Sequence, residues 1–154
     1  MTRNTAVLLA AGGSLALLLA AWGFQYLGGL APCKLCIWQR WPHGGAVLMG
    51  FVAMAVAGPL IPLLGAAMAA ATGAVGIYHT GVERAWWEGP TTCTSGSIEA
   101  LTPEQLMDQI LGAPLVQCDQ VAWAFLGLSM ASWNAVIAFT LMGLWLVAAQ
   151  KSRD

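Results

Sequence analysis

Charge is what this chain has least of. Of its 154 residues 8% are charged, six Lys and Arg against seven Asp and Glu, while 58% are hydrophobic. Mean hydropathy is +0.70. A soluble domain carries about 25% charged residues, and no water-soluble fold of this length hides so much apolar surface. The net charge of −1 leaves no basic footprint for a nucleic acid. Internal repeats, low-complexity tails and linkers are also missing. The chain therefore reads as one integral membrane domain, residues 1–154, with no nucleic-acid partner and the lipid bilayer as its surroundings.

The runs without charge set the expected spans. Residues 7–27 carry no charged side chain, enough for one crossing at about 20 residues. This run is longer than the apolar region of a cleaved leader. Pro32, just before Cys33, spoils an otherwise tempting lipidation box at Leu30-Ala31-Pro32-Cys33. Residues 44–78 are uncharged, too long for one ordinary span and short for two. Pro59 and Pro62 mark a turn between them. Two helices then need extra length at their outer ends, the first by starting near Cys36, the second by running past Tyr78. Pro42 falls in the second turn of the first of these, where a kink is expected. The small residues between Ala66 and Gly76 suit close helix packing in lipid. A last span lies between Trp123 and Ala148, its start blurred by Gly127, Ser129 and Ser132. Asn134 near its outer end reads as a helix–helix hydrogen bond.

The expected fold class is thus an all-α membrane protein, a four-transmembrane-helix bundle. Its spans fall near 7–27, 36–57, 63–82 and 128–148, and polar loops near 28–36 and 83–125. The second loop holds six of the seven acids, and a loop of this length tends to be functional. Within it, Thr102-Pro103-Glu104-Gln105 is a capping box with proline at the first helical position. Leu106, Met107, Ile110 and Leu111 follow on one face, so a short amphipathic helix is expected there.

Four spans put both termini on one side and both loops on the other. Arg3, Lys151 and Arg153 lie on the terminal side and Lys34, Arg40 and Arg84 on the loop side, so the positive-inside rule is silent. The cysteines decide instead. All four lie on the loop side, and disulfides persist outside the cytosol. The termini are expected in the cytoplasm and the loops outside, in the periplasm where there is one.

Cys33-Lys34-Leu35-Cys36 is a C-x-x-C pair, with Arg40 one helical turn past Cys36. On a helix, positions 36 and 40 share a face. A cation there, and the positive end of a helix starting near Cys36, would favour thiolate. Cys93 and Cys118 lie in the long loop. Such a set suits thiol redox chemistry at a membrane surface. Two static disulfides, or a four-cysteine zinc or copper site in a membrane metal-binding module, are alternatives. Haem attachment is disfavoured because Ile37, not histidine, follows Cys36.

The chain resembles the disulfide-bond formation protein B (DsbB) family of quinone-dependent membrane oxidases. The resemblance rests on Cys33-Lys34-Leu35-Cys36-Ile37-Trp38-Gln39-Arg40, on the Cys93 and Cys118 loop, and on Phe125-Leu126-Gly127-Leu128 followed by Met130 and Trp133. It implies catalytic Cys33, Cys36, Cys93 and Cys118, no metal, and a quinone, ubiquinone or menaquinone, beside Cys36, Arg40 and His79. His43, close to Arg40, is a further candidate to touch it. The implied partners are a periplasmic thioredoxin-fold thiol oxidase (DsbA-like) and the quinone pool of a bacterial inner membrane. In this scheme Cys93 meets the partner and Cys33 exchanges with Cys118. Glu83 and Arg84 read as a solvated pair. A vitamin K epoxide reductase-like protein, the rival reading, places its C-x-x-C after the loop pair rather than before it.

Overall fold

The computed structural model describes residues 1–91, 93, 102–104, 107, 111 and 116–153. Among these residues the long elements are four helices: α1 (Arg3–Tyr26), α2 (Lys34–Ala55), α3 (Leu60–Glu83) and α4 (Met130–Gln150). Each packs on its neighbours in chain order, and α1 closes the ring on α4. Three of them, α1, α3 and α4, are long and apolar enough to cross a membrane. Their outward faces are apolar too: Leu8, Leu19, Leu60, Ile77 and Val136 are all exposed. α2 presents Ile37, Trp41, Leu48 and Phe51 in the same way, although Lys34, Gln39, Arg40 and His43 dilute its hydropathy. The expected amphipathic helix after Thr102 falls largely outside the described residues.

The helix starts are set by caps that sequence periodicity does not register. Thr2 caps α1 by accepting from the Thr5 N–H, so α1 begins earlier than residue 7. Cys33 caps α2, its Sγ accepting from the Cys36 N–H at 3.2 Å. α2 therefore starts at Lys34 rather than at Cys36, and continues through Pro42 to Ala55. Ser129 caps α4 through the Ser132 N–H. Just before it, where the sequence blurred the start of the last span, the chain makes an antiparallel hairpin, β1 (Ala124–Phe125) with β2 (Leu128–Ser129). Its two connecting residues, Leu126 and Gly127, both have positive φ, 51° and 76°. That pair of left-handed residues matches the twist of the flanking strands. The Trp133 indole N–H donates to the Phe125 carbonyl at 3.0 Å and holds the hairpin over the helix ends.

Small residues let the helices meet. Ala6, Ala10, Ala53, Ala66, Ala69 and Ala148 surround Trp145 and Leu141 in the main core. Gly65 faces the Trp145 ring so closely that a Cβ would lie 2.6 Å from it. Arg3 closes the terminal end. Its Nη2 donates to the Ala53 and Val56 carbonyls at 2.7 and 2.8 Å, and its Nε donates to the Ser152 hydroxyl at 2.9 Å. The unpaired carbonyls at the end of α2 are thereby satisfied by a cation.

The contrast between glycines provides a test of this packing. Gly65→Ala should destabilise the protein by about 1–3 kcal/mol through overpacking against Trp145. Gly12→Ala, with nothing within 4 Å, should be neutral or stabilising by up to about 1 kcal/mol. Thermal unfolding in detergent reads both, and equal effects would remove the close α3–α4 contact from the account.

Candidate functional site

The C-x-x-C pair sits at the start of α2, between two different surroundings. Cys33, at its cap, is buried in one cluster with Leu35, Val82, Cys93 and Cys118. Cys93 and Cys118 are joined in a disulfide, whereas Cys33 and Cys36 are free thiols with their sulfurs 2.9 Å apart. Cys36, half-buried, packs against the same cluster and has a second neighbourhood as well. It lines a cavity of about 200 Å³ between α1, α2 and α4, together with Arg40, His43, Phe24, Trp133 and Asn134. One turn of helix thus puts two sulfurs in contact on a shared cluster while only Cys36 also lines the cavity. All four candidate cysteines gather at this end of the bundle. Cys93 and Cys118 are both buried.

Arg40 lines the same cavity as Cys36, as the i, i+4 spacing implied. Its guanidinium is held from the α1 side. Nη1 donates to Gln25 Oε1 at 2.6 Å, and Nη2 lies 3.5 Å from the Ala21 carbonyl. Gln25 carries no motif in the sequence, standing within the uncharged run 7–27, so its role is legible only in the fold.

His79 lies on the opposite side of the thiols and does not line the cavity. Its Nε2 is 3.6 Å from Cys33 Sγ and 3.8 Å from Glu83 Oε1. Gln39 fixes its tautomer. The Gln39 amide Nε2 donates to the Leu35 carbonyl at 3.2 Å and to His79 Nδ1 at 2.9 Å. Nδ1 must then be the acceptor, so Nε2 carries the ring proton toward Cys33 and Glu83. Glu83 is not a solvated partner of Arg84. It is buried and accepts from the Ser129 hydroxyl, while Arg84 lies over the Trp86 ring. Gln39 and Ser129 carry no motif that would have singled them out; both are recruited only when α2, α3 and α4 pack.

The seat that favours thiolate belongs to Cys33. The sequence reading gave that advantage to Cys36, on a helix assumed to start there. Because α2 starts at Lys34, the positive end of the helix falls on Cys33. The Cys33 thiol is held well below its ordinary range, at about 4. The hydrogen bond with Cys36 is the main cause, and it works against burial with help from the hydrogen bond of His79 and from the Cys36 backbone N–H. Cys33 Sγ, Cys36 Sγ and His79 Nε2 lie within 4.8 Å of one another, a set that could also hold a soft cation.

The comparisons with known proteins agree in one direction. A family model described as "Disulfide bond formation protein DsbB" matches residues 3–148. A protein of Methylococcus capsulatus named "Disulfide bond formation protein B" is 34% identical over 143 residues, covering 84% of this chain and 87% of that protein. "Disulfide bond formation protein B 2" of Pseudomonas aeruginosa is 33% identical, covering 86% of this chain and 82% of that protein. A Pasteurella multocida "Disulfide bond formation protein B" is 30% identical over 99% of this chain and 89% of that protein. No solved structure matches.

The low Cys33 pKa has a measurable sign. With the C-x-x-C pair reduced, alkylation at Cys33, mapped by mass spectrometry, should stay at its plateau through neutral pH and fall to half only near pH 4. The reduced fold should draw stability from this thiolate fully above the ordinary pKa of 9.0, and lose it progressively as pH falls from 9.0 toward 4. A midpoint near 9.0 would remove Cys33 from the thiolate seat.

Proposed function

The chain belongs to the disulfide bond formation protein DsbB family, and from that premise we propose that it oxidises a periplasmic thioredoxin-fold dithiol protein and passes the electrons to a membrane quinone. Membership already makes it a disulfide-forming membrane oxidoreductase. The observation that carries the finer reading is the division of labour at α2. Both thiols pack on the buried cluster that holds the loop disulfide, and of the two only Cys36 also lines the apolar cavity.

The relay proceeds by thiol exchange. A thiolate of the partner attacks Cys93, forming a mixed disulfide and releasing Cys118 as thiolate. Cys118 attacks Cys33, forming Cys33–Cys118 and releasing Cys36 as thiolate at the cavity. The partner's second thiol frees Cys93, which attacks Cys118, restores Cys93–Cys118 and expels Cys33. Cys33 is a good leaving group because its thiolate is held by the helix start and by His79. The reduced Cys33–Cys36 pair then holds two electrons beside the cavity.

The cavity fits a quinone ring by the chemistry of its walls. It is lined mainly by apolar side chains, Phe24 and Trp133 among them, with the Arg40 guanidinium beside Cys36. A quinone bound there would supply a two-electron, two-proton acceptor. Arg40 would bind its oxygen and favour negative charge near Cys36. Gln25 would keep the guanidinium in place. α2 completes the membrane bundle as a fourth span, with the termini in the cytoplasm and the cysteine loops in the periplasm of a bacterial inner membrane. The exposed apolar side chains of α2 support that placement.

The protein purified in detergent, given a reduced thioredoxin-fold dithiol oxidase and decylubiquinone, should consume quinone. Cys36→Ser should abolish that turnover. Arg40→Ala should weaken quinone use by about 10- to 150-fold, the loss of a hydrogen bond to a charged group, with little change in the dependence on partner concentration. Full quinone turnover by Cys36→Ser would overturn the proposed route of the electrons.

A further inference from the structure

Glu83 stands beside the thiols, yet thiol exchange gives it nothing to do. It ends α3, and its side chain is 6% exposed. Oε2 accepts from the Ser129 hydroxyl at the head of α4, and Oε1 lies 3.8 Å from His79 Nε2. The same nitrogen is 3.6 Å from Cys33 Sγ. One N–H therefore stands between a carboxyl group and a sulfur that becomes a thiolate on reduction. Among the described residues, the titratable groups facing Glu83 are Cys33 and Cys36 at the start of α2 and His79 one turn back on α3. Arg84, the next residue, places its guanidinium over the Trp86 ring.

His79 cannot balance the charge of that thiolate. The Gln39 amide, oriented by the Leu35 carbonyl, donates to His79 Nδ1 at 2.9 Å, so Nδ1 is closed to a second proton. The ring stays neutral with its proton on Nε2, and in that form Nε2 has no lone pair for a cation either. The Cys33 and Cys36 sulfurs are 2.9 Å apart, close enough to share one hydrogen. Cys36 keeps its proton while Cys33 gives its own up. A thiolate and a carboxylate on one neutral N–H repel each other, and two anions sharing a site do not both stay ionised. Glu83 is the group left to take a proton.

We propose that Glu83 is the redox-linked proton acceptor of the C-x-x-C pair, ionised while Cys33 is in a disulfide and protonated once Cys33 is a thiolate. Reduction breaks the Cys33–Cys36 bond and takes up two electrons and two protons, one proton on Cys36 and one on Glu83. A dithiol supplies both electrons and both protons as its own disulfide forms. Reoxidation of the pair hands two of each to the acceptor. The buried site thus keeps the same net charge through the cycle, where an added charge would be costly. The inference needs only the thiol chemistry of the family and does not depend on the quinone.

The full chain in detergent is equilibrated with dithiothreitol redox buffers around neutral pH, without oxygen or added quinone. Alkylation and mass spectrometry of Cys33 and Cys36 read the potential of that pair alone. Each proton taken up on two-electron reduction changes the equilibrium constant tenfold per pH unit, or about 30 mV. The wild-type potential should therefore fall by about 60 mV per pH unit, and that of Glu83→Gln by about 30 mV. Glutamine keeps the size of the side chain and an acceptor for Ser129, so a merely structural role would leave the slope alone. A wild-type slope of about 30 mV, or equal slopes in the two proteins, would overturn the role of Glu83. Infrared difference spectra give a second reading on the wild-type protein itself. Reduction should bring up a protonated-carboxyl C=O band that shifts in D2O, and reoxidation should remove it. Absence of that band would sink the proposal even where the variant does not fold. A band that survives Glu83→Gln would sink it too, and would point to Asp119, whose buried Oδ1 has no partner among the described residues.

Discussion

The site depends on where α2 begins. By capping the helix with its own sulfur, Cys33 takes the position where the free N–H groups and the positive end of the helix meet. Cys36 then falls in the first turn, close enough to exchange with Cys33. Both sulfurs pack on the cluster that holds the loop disulfide, and Cys36 alone of the two also lines the cavity.

The rest of the bundle holds that helix start in place by satisfying polar groups where water is scarce. In an apolar setting each polar side chain needs a partner, and the available partners lie on other helices. Gln39 ties α2 to His79 on α3, and Ser129 at the head of α4 ties back to Glu83. Asn134, as its place in an apolar run suggested, bonds across helices, reaching both His43 and Thr72. At the opposite end Arg3 joins α1, α2 and the residues after α4. These ties fix tautomers and amide orientations as well as positions, so the thiols and the cavity sit among donors and acceptors of defined sense. The bulk of the packing comes instead from alanine and glycine, which bring the helix backbones close enough for such short side chains to reach.

Much of this was legible in one dimension. Long uncharged runs can only be buried in lipid, so composition alone declared the membrane class and the approximate helices. The C-x-x-C pair, the arginine four residues on and the cysteines of the long loop named the chemistry, because thiol exchange needs those atoms whatever the fold. Spacing also put Cys36 and Arg40 on one helix face, since 3.6 residues per turn is a property of the backbone. Tertiary structure decided the rest. A cap depends on one hydrogen bond, which periodicity does not register, so the α2 start moved to Lys34 and the thiolate seat to Cys33. The turn before α4 needed left-handed residues at Leu126 and Gly127, which an apolar pattern masks. Glu83 looked like half of a surface pair because sequence cannot tell which face of α3 meets α4. His43, Thr72 and Asn134 are 29 and 62 residues apart along the chain. Only the packing of three helices makes them one hydrogen-bonded string.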